Sequence, residues 1–186
     1  MKILKLTLDE KTAFHTLDHV MKQDLGLTKR QISQAKFRKE GICINGEKRR
    51  VSYVGRPGDV LTVCLEETGT YSGKSAPQEG ELGVLYEDED ILAVNKPPGM
   101  PCHPGRGHYR DSLGNLAAGL FEKRGEPCPV RIIGRLDKDT SGVVILAKNQ
   151  AAGARLGIQK ENGTFWKEYL GLVRGHLEDV YGRIRE

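Results

Sequence analysis

The spacing of apolar and polar residues over the first 66 positions changes between the helical and the extended pattern. One helix is predicted after Thr16 and a second after Thr28, because the apolar residues that follow each recur at helical spacing. Gln31 completes a capping box with Thr28, and Gly26 and Gly41 are expected to end the two helices. The remainder predicts short extended segments and turns, namely Ile42–Ile44, Asn45-Gly46, Val51–Val54, Pro57-Gly58-Asp59 and Val60–Val63.

A strand-rich pattern begins at residue 82. Residues 67–80, which precede it, are rich in Gly, Ser, Thr and Pro and lack apolar periodicity, so they are interpreted as a linker. The predicted strands are Leu82–Tyr86, Ile91–Asn95, Arg131–Arg135, Val143–Ala147 and Trp166–Val173, with helices from about Ser112 to Lys123 and over Gln150–Lys160. Strands outnumber helices, which favours an α+β fold with a mixed or antiparallel sheet. The predicted domains are residues 1–66 and 81–186.

Positive charge is concentrated in one part of the first domain. The 186-residue chain has 38% hydrophobic and 29% charged residues, which is typical of globular proteins, and its formal net charge is +4. Between positions 29 and 50 two glutamates stand against eight basic residues, which are Lys29, Arg30, Lys36, Arg38, Lys39, Lys48, Arg49 and Arg50. Such a cluster is the usual footprint of a polyanion-binding surface, although a solvated helix face has the same composition.

The four cysteines form no CxxC pair and match neither a zinc ribbon nor a small disulfide framework. Reduced thiols in a cytoplasmic protein are therefore predicted for Cys43, Cys64, Cys102 and Cys128. Cys102, His103 and His108 lie close in sequence, but three candidate ligands without a fourth are weak support for a metal site, and no metal is predicted. The amino-terminal residues alternate between apolar and polar types, which indicates neither a signal peptide nor a membrane span.

The segment RLDKDTSG, residues 135–142, lies between two predicted strands and has three possible interpretations. Asp, Ser and Gly are turn formers, so an ordinary polar turn is one of them. Asp137, Asp139 and Ser141 also fit the start of an EF-hand calcium loop, but Lys148 occupies the position of the bidentate glutamate, which excludes calcium. In the third interpretation Asp137 is a nucleophile or a base on a backbone that Gly142 helps to fix.

The order of elements in residues 1–66 resembles the αL RNA-binding domain that a ribosomal small-subunit protein shares with several RNA-modifying enzymes. The resemblance rests on Thr28-Lys29-Arg30, Glu40-Gly41, Ile44-Asn45-Gly46 and Pro57-Gly58-Asp59-Val60. It implies that RNA is the partner and that the basic residues of the second helix and the following turn contact phosphates. Phe37 and Tyr53 are candidates either for base stacking or for the core.

Four motifs in the second domain resemble those of the RluA-type pseudouridine synthases. GRLDKDTSGVVILAK, residues 134–148, resembles the catalytic loop, and KEYL, residues 167–170, resembles the motif whose tyrosine packs on the target base. NKPPG, residues 95–99, and His103-Pro104 match the strand and loop that precede the catalytic loop. Because the motifs follow the family's order and cover nearly all of residues 82–176, the chain is identified as similar to this family.

The resemblance implies an isomerase that converts uridine to pseudouridine in ribosomal or transfer RNA, with Asp137 and Tyr169 as its catalytic residues. The target base must be turned out of the RNA, and Tyr169 is expected to stack on it. Arg135 is expected to contact RNA, either at a phosphate or in the space that the base leaves. The reaction adds no atom, so neither a cofactor nor a metal is expected. Whether Asp137 acts as nucleophile or as base stays open.

The sequence departs from the family pattern at two places. Gly134 stands where the family commonly has His. The chain also ends at Glu186, before the further strands, the arginine and the basic helix of the family's catalytic domain, so a truncated catalytic domain is expected. The alternative function is therefore a non-catalytic RNA-binding protein. No oligomeric state follows from the sequence.

Overall fold

The first half of the chain folds around one small antiparallel sheet. The computed structural model describes residues 2–66, 75–105, 107–126, 128–176 and 182. The elements of the first range are β1 (Lys2–Thr7), α1 (Leu17–Gln23), α2 (Lys29–Lys36), β2 (Ile42–Ile44), β3 (Glu47–Lys48) and β4 (Val60–Leu65). The strands are arranged in the order β1-β4-β2-β3, and neighbouring strands are antiparallel.

One apolar core lies between this sheet and its two helices. Every second residue of β4 is buried, as expected for a strand with one face against a core. The hydroxyl groups of Thr16 and Thr28 cap α1 and α2, and the capping box between Thr28 and Gln31 is confirmed. The helices contribute Leu17, Val20, Met21, Ile32 and Ala35 to the core.

The second half is built on another four-stranded antiparallel sheet. Its elements are β5 (Gly83–Glu87), β6 (Ile91–Lys96), α3 (Leu113–Lys123), β7 (Arg131–Ile133), β8 (Gly142–Ala147) and α4 (Gln150–Glu161). The strand order is β5-β6-β8-β7. Leu113, Ala117 and Phe121 lie four residues apart on α3 and pack into the core of this sheet. The two antiparallel sheets and four helices confirm the α+β class.

The predictions for the first half are wrong in two places. Val51–Val54 is not a strand paired with β2, because Glu47–Lys48 takes that position and the carbonyl groups of Val51 and Tyr53 accept hydrogen bonds from the start of α1. The second helix ends at Lys36 and not at Gly41, because the amide of Arg38 bonds to the carbonyl of Ala35 in a tighter turn. β1 was not predicted as a strand, although its residues alternate between apolar and polar types.

The strand predicted at Trp166–Val173 is also absent from the described residues. Trp166, Leu170 and Leu172 are 83%, 106% and 104% exposed, so no apolar surface within the described residues covers these side chains. Residues of a strand must exchange backbone hydrogen bonds with a neighbouring edge, and none of the described strands pairs with this segment. Favourable strand composition alone was therefore not sufficient.

Helix α4 of the second half packs on the first half. Ala151 is 1% exposed and belongs to the apolar core around α1 and α2. The side-chain amide of Gln31 donates to the carbonyl oxygen of Gln150 at 2.9 Å. The guanidinium of Arg155 donates to the carbonyl oxygen of Leu25 at 3.3 Å. These contacts fix where α4 lies against the first sheet.

One more contact joins the two halves, and other contacts hold the end of the segment that connects them. The ammonium of Lys2 lies 3.0 Å from the carboxylates of both Glu89 and Asp90, and these contacts raise the pKa of Lys2. Residues 67–74 of the predicted linker lie outside the described residues, whereas Ser75 is buried and residues 76–78 bond to α3. The two-domain division stays a prediction.

Two glycines within helices provide a matched pair of substitutions. A Cβ atom on Gly119 of α3 would lie 2.1 Å from the carbonyl oxygen of Gln78, whereas one on Gly157 of α4 would meet no atom within 4 Å. We expect Gly157→Ala to raise the free energy of unfolding by about 0.5–1 kcal/mol, because alanine favours the helix. Gly119→Ala should lower it by about 1–3 kcal/mol, because the backbone at Gln78 has to move. Urea unfolding measures both, and equal shifts would contradict the packing of residues 76–78 on α3.

Candidate functional site

Asp137 lies in the loop that joins β7 to β8. Gly134 and Gly142 at its ends have φ angles of 78° and 132°, which residues with a side chain rarely adopt. A histidine at position 134 would be strained in this conformation. The amide of Thr140 donates to the carbonyl of Asp137 at 3.1 Å and closes a turn. Asp137 is exposed, and within the described residues no donor lies at hydrogen-bonding distance from its carboxylate.

Lys96, the last residue of β6, anchors one side of this loop. Every second residue of β6 is buried, and Lys96 is on the buried side with 0% exposure. Its Nζ donates to the carbonyl oxygens of Pro97, Met100 and Lys138 at 2.9, 2.8 and 2.9 Å. An ammonium group has three protons to donate, so all of them are used. The residue that follows Asp137 is thereby tied to the loop after β6.

Cys102 anchors the other side. Its buried Sγ lies 3.2 Å from the carbonyl oxygen of Leu136 and accepts from the amide of Leu136 at 3.4 Å. A thiol is both a weak donor and a weak acceptor, so one sulfur atom satisfies both backbone groups. The Leu136 side chain packs against the core of the second half. Asp137 therefore lies between two residues whose backbones are fixed.

A chain of polar side chains leads from Asp111 to Lys138. Nδ1 of His108 lies 2.6 Å from the carboxylate of Asp111, and its Nε2 lies 3.1 Å from Nζ of Lys138. The contact with His108 lowers the pKa of Asp111. A lysine ammonium has no acceptor, so Nε2 must accept and Nδ1 must donate to the carboxylate, which defines the tautomer. The ammonium of Lys138, the residue after Asp137, is held against His108 in this way.

Arg135 also lies in the loop and is exposed. Desolvation of the His103 imidazole, and secondarily the charge of Arg135, lower the pKa of His103. This histidine is therefore neutral at pH 7. Arg135 and Lys138 supply the positive charge on either side of Asp137 in the sequence, as is suitable for a site that approaches a polyanion.

Tyr169 is not brought to Asp137 by any described hydrogen bond or ring contact. It is exposed, and the ring contact recorded for it is with Nζ of Lys167, 5.8 Å from the ring centroid. Its neighbours Trp166 and Leu170 are exposed as well. The roles of Asp137 and Tyr169 as a catalytic pair stay a prediction.

The predicted RNA-binding residues of the first half lie along α2, just after it, and at the end of β3 and just beyond. Arg38 forms an ion pair with Glu66, and Arg49 forms one with Glu47 while its guanidinium lies 5.2 Å from the centroid of Tyr53. The remaining six are exposed and are Lys29, Arg30, Lys36, Lys39, Lys48 and Arg50. Of the eight predicted RNA-binding residues, two arginines are therefore engaged in ion pairs, and the other six cations are more accessible.

Two cavities lie away from Asp137. One has a volume of about 530 Å³ and is lined by Lys36, Phe37 and residues 48–52. The other, of about 620 Å³, is lined by Glu126, Cys128, Lys148 and residues 87–89. At its edge Glu87 accepts from Arg124 and Lys148, which hold its pKa below the usual value against the opposing effect of burial. Lys148, which occupies the position where an EF-hand calcium loop needs a glutamate, is therefore paired with Glu87.

Two features are absent from the described part of the chain. No group of three or more metal-ligating side chains is found there. No described helix has the length and apolar character needed to cross a membrane.

Sequence reasoning missed the residues that hold the loop. From the sequence, Lys96 has no role within its motif, Cys102 is expected only to be a reduced thiol, and Cys102 and His108 are rejected as metal ligands. For Lys96 a signal existed, since the alternation of β6 puts this lysine on the same side as Leu92 and Val94. Cys102 and His108 are brought to the loop by contacts that no local pattern encodes.

Residues 90–186 match the family described as RNA pseudouridylate synthase. The match covers more than half of the 186 residues, and the chain belongs to this family. The family to which the sequence showed a resemblance is therefore confirmed.

Similarity extends beyond the matched segment in several relatives. The uncharacterized RNA pseudouridine synthases YjbO and YhcT of Bacillus subtilis are 33% and 34% identical, over 87% and 97% of this chain. Ribosomal large subunit pseudouridine synthase C of Vibrio cholerae is 27% identical over 93% of it. The matched regions are 56%, 59% and 56% of those three proteins, so the chain spans little more than half of their length.

Proposed function

We propose that the protein acts as an RNA pseudouridine synthase, an isomerase that converts uridine to pseudouridine in ribosomal or transfer RNA. The observation that supports this most directly is the exposed carboxylate of Asp137, on a loop anchored by Cys102 and Lys96. The reaction needs a carboxylate that is fixed in position and open to the sugar–base junction. Membership of the family and the relative named as a ribosomal large subunit enzyme favour RNA as the substrate.

The chemistry is an internal rearrangement of the nucleotide. The bond from carbon 1′ of the ribose to nitrogen 1 of uracil breaks, the base turns, and carbon 1′ forms a bond to carbon 5. The proton that leaves carbon 5 is balanced by one gained at nitrogen 1, so no atom is added overall. Asp137 acts either as a nucleophile at the sugar or as the base that accepts a proton.

The target uridine has to leave its base stack before Asp137 can reach it. Unstacking costs roughly a few kcal/mol, which contacts with the protein must offset. Arg135 and Lys138 are available for the neighbouring phosphates, and the exposed ring of Tyr169 is available for stacking once the RNA is bound. In this proposal residues 166–173 move towards Asp137 in the RNA complex.

The first half supplies a second RNA contact through its exposed cations. We expect the combined change Lys36→Ala, Lys48→Ala and Arg50→Ala to weaken RNA binding and to flatten the dependence of log affinity on log salt by about 0.7–0.9 units per lost phosphate contact. Fluorescence anisotropy of a labelled RNA at several salt concentrations measures the slope. Arg38→Ala is the matched control, because this arginine is already in an ion pair with Glu66. If the triple variant and the wild type had equal slopes, these three cations would not contact RNA, and the RNA-binding surface would lie elsewhere.

Conversion itself is tested by incubating the protein with unmodified ribosomal and transfer RNA transcripts. Pseudouridine is then tagged chemically and located by mass spectrometry. A tagged uridine that depends on the protein supports the proposal. RNA binding without any tagged position would instead support a non-catalytic RNA-binding protein, a function that agrees with the exposure of Tyr169 and with the lack of a described hydrogen bond or ring contact between it and Asp137.

A further inference from the structure

We propose that the cavity beside Phe37 binds one unpaired nucleotide of the RNA, with the base stacked on the Phe37 ring and its phosphate held by Lys48 and Arg50. This inference rests on the proposed RNA-binding function and gives it a particular ligand. The cavity of about 530 Å³ lies within the range of about 300–1,000 Å³ that is usual for sites binding small molecules.

Phe37 is 78% exposed, which is unusual for a large aromatic side chain in a half with a well-formed core. It is the residue that caps the carboxyl end of α2, and Nζ of Lys36 lies 4.9 Å from the centroid of its ring. An exposed ring beside a cation is the arrangement that binds the face of a nucleobase next to a charged backbone. Tyr53, the second aromatic candidate for base stacking, packs against the core instead.

The opposite wall of the cavity is held in place by backbone hydrogen bonds. The amide of Arg49 donates to the carbonyl of Ile42 at 3.0 Å, and the carbonyl of Val51 accepts from Asp18 at 2.9 Å. Val51, which also lines the cavity, is partly buried against the core. A wall fixed before the ligand arrives reduces the ordering cost of binding.

The charges define which end of the nucleotide lies where. Beside Phe37 the ammonium of Lys36 is offset by the carbonyl oxygens and the negative end of the helix dipole at the carboxyl end of α2, so a phosphate is less favoured there than beside two cations. Lys48 and Arg50 are exposed on the other wall, and neither has a recorded ion pair in the described residues. The base therefore belongs against the ring, and the phosphate belongs on the side of residues 48–50.

The same geometry discriminates between paired and unpaired RNA. Within a duplex both faces of an internal base are covered by its neighbours, so a ring on the protein surface has no free face to stack on. An unpaired base in a loop or bulge exposes its face. Binding of a continuous duplex would use the cations and leave Phe37 without a partner.

The test compares two RNAs that share a stem, one closed by a loop with 2-aminopurine at an unpaired position and the other paired throughout. Phe37→Ala should weaken binding of the loop RNA by about tenfold, as expected for loss of one stacked base, and leave duplex binding unchanged. Phe37→Trp should retain the affinity. Wild-type protein should change the 2-aminopurine emission, and Phe37→Ala should not.

Phe14→Ala is the matched control, because Phe14 is 70% exposed in the same half but does not line the cavity. Equal losses for both RNAs, no loss for either, or the same effect from Phe14→Ala would overturn the nucleotide site. If the Lys36, Lys48 and Arg50 variant loses affinity for RNA while Phe37→Ala does not, the result supports the RNA-binding surface and overturns the nucleotide site beside Phe37. If wild-type protein binds neither RNA, both the site and the proposed RNA contact of the first half are wrong.

Discussion

Asp137→Asn is expected to lower pseudouridine formation by at least about a thousandfold, because an amide is neither a nucleophile at the sugar nor a base for its proton. The substitution keeps the size of the side chain and leaves the turn closed by Thr140 intact. Affinity for RNA should change little, since Asp137 contributes no positive charge. Mass spectrometry of tagged RNA measures the product, and fluorescence anisotropy measures binding.

The matched control for this change is Asp139→Asn. Asp139 is exposed two residues further along the same turn, so its substitution alters the net charge of the loop equally. We expect Asp139→Asn to retain most of the activity. If Asp137→Asn kept a tenth or more of wild-type turnover, or if both variants lost the same amount, Asp137 would not be the catalytic carboxylate.

Lys96→Met should destabilise the protein by about 3 kcal/mol, because it leaves three partly buried carbonyl groups without their donor. Methionine has nearly the same length and no charge, so the cost is dominated by the lost hydrogen bonds. Release of the Lys138 carbonyl also lets the Asp137 loop move. A displacement of about 1 Å is enough to reduce turnover roughly a hundredfold. Urea unfolding measures the first effect, and the turnover number of the folded variant measures the second.

Lys5→Met is the control for removal of a strand lysine. Lys5 is exposed on β1, and its substitution should change the free energy of unfolding by less than about 0.5 kcal/mol. If Lys96→Met unfolded at the same urea concentration as Lys5→Met, the hydrogen bonds of Lys96 would not support the loop. Normal stability with lost turnover would assign the lysine to catalysis rather than to packing.

Elements whose signals are local were predictable from the sequence. A few adjacent residues encode the capping box of Thr28 and Gln31, and the same holds for the alternation of β6 and β8. The structure has these features where they were expected. Asp137 is a candidate from the sequence because its motif is contiguous in the chain. Its exposure and its position between two strands agree with what that motif indicated.

What the sequence could not provide depends on tertiary partners. Val51–Val54 has the composition of a strand, but Glu47–Lys48 pairs with β2 first because the intervening turn is short. Trp166–Val173 also has strand composition and has no described edge to pair with. The contacts of Lys96 and Cys102 with the Asp137 loop join residues 34 to 42 positions apart, which periodicity does not report.

Because Ala151 of α4 belongs to the apolar core of the first half, the first half cannot be produced without α4 and keep its full stability. A fragment cut after residue 66 would lose a methyl group from its apolar interior and would expose the amide of Gln31 and the carbonyl of Leu25 to water. Such a piece would be less stable than the same residues in the whole chain, so its failure to hold RNA would not disprove the RNA surface. Chimeras that transplant this half onto another enzyme should carry a helix equivalent to α4 with it.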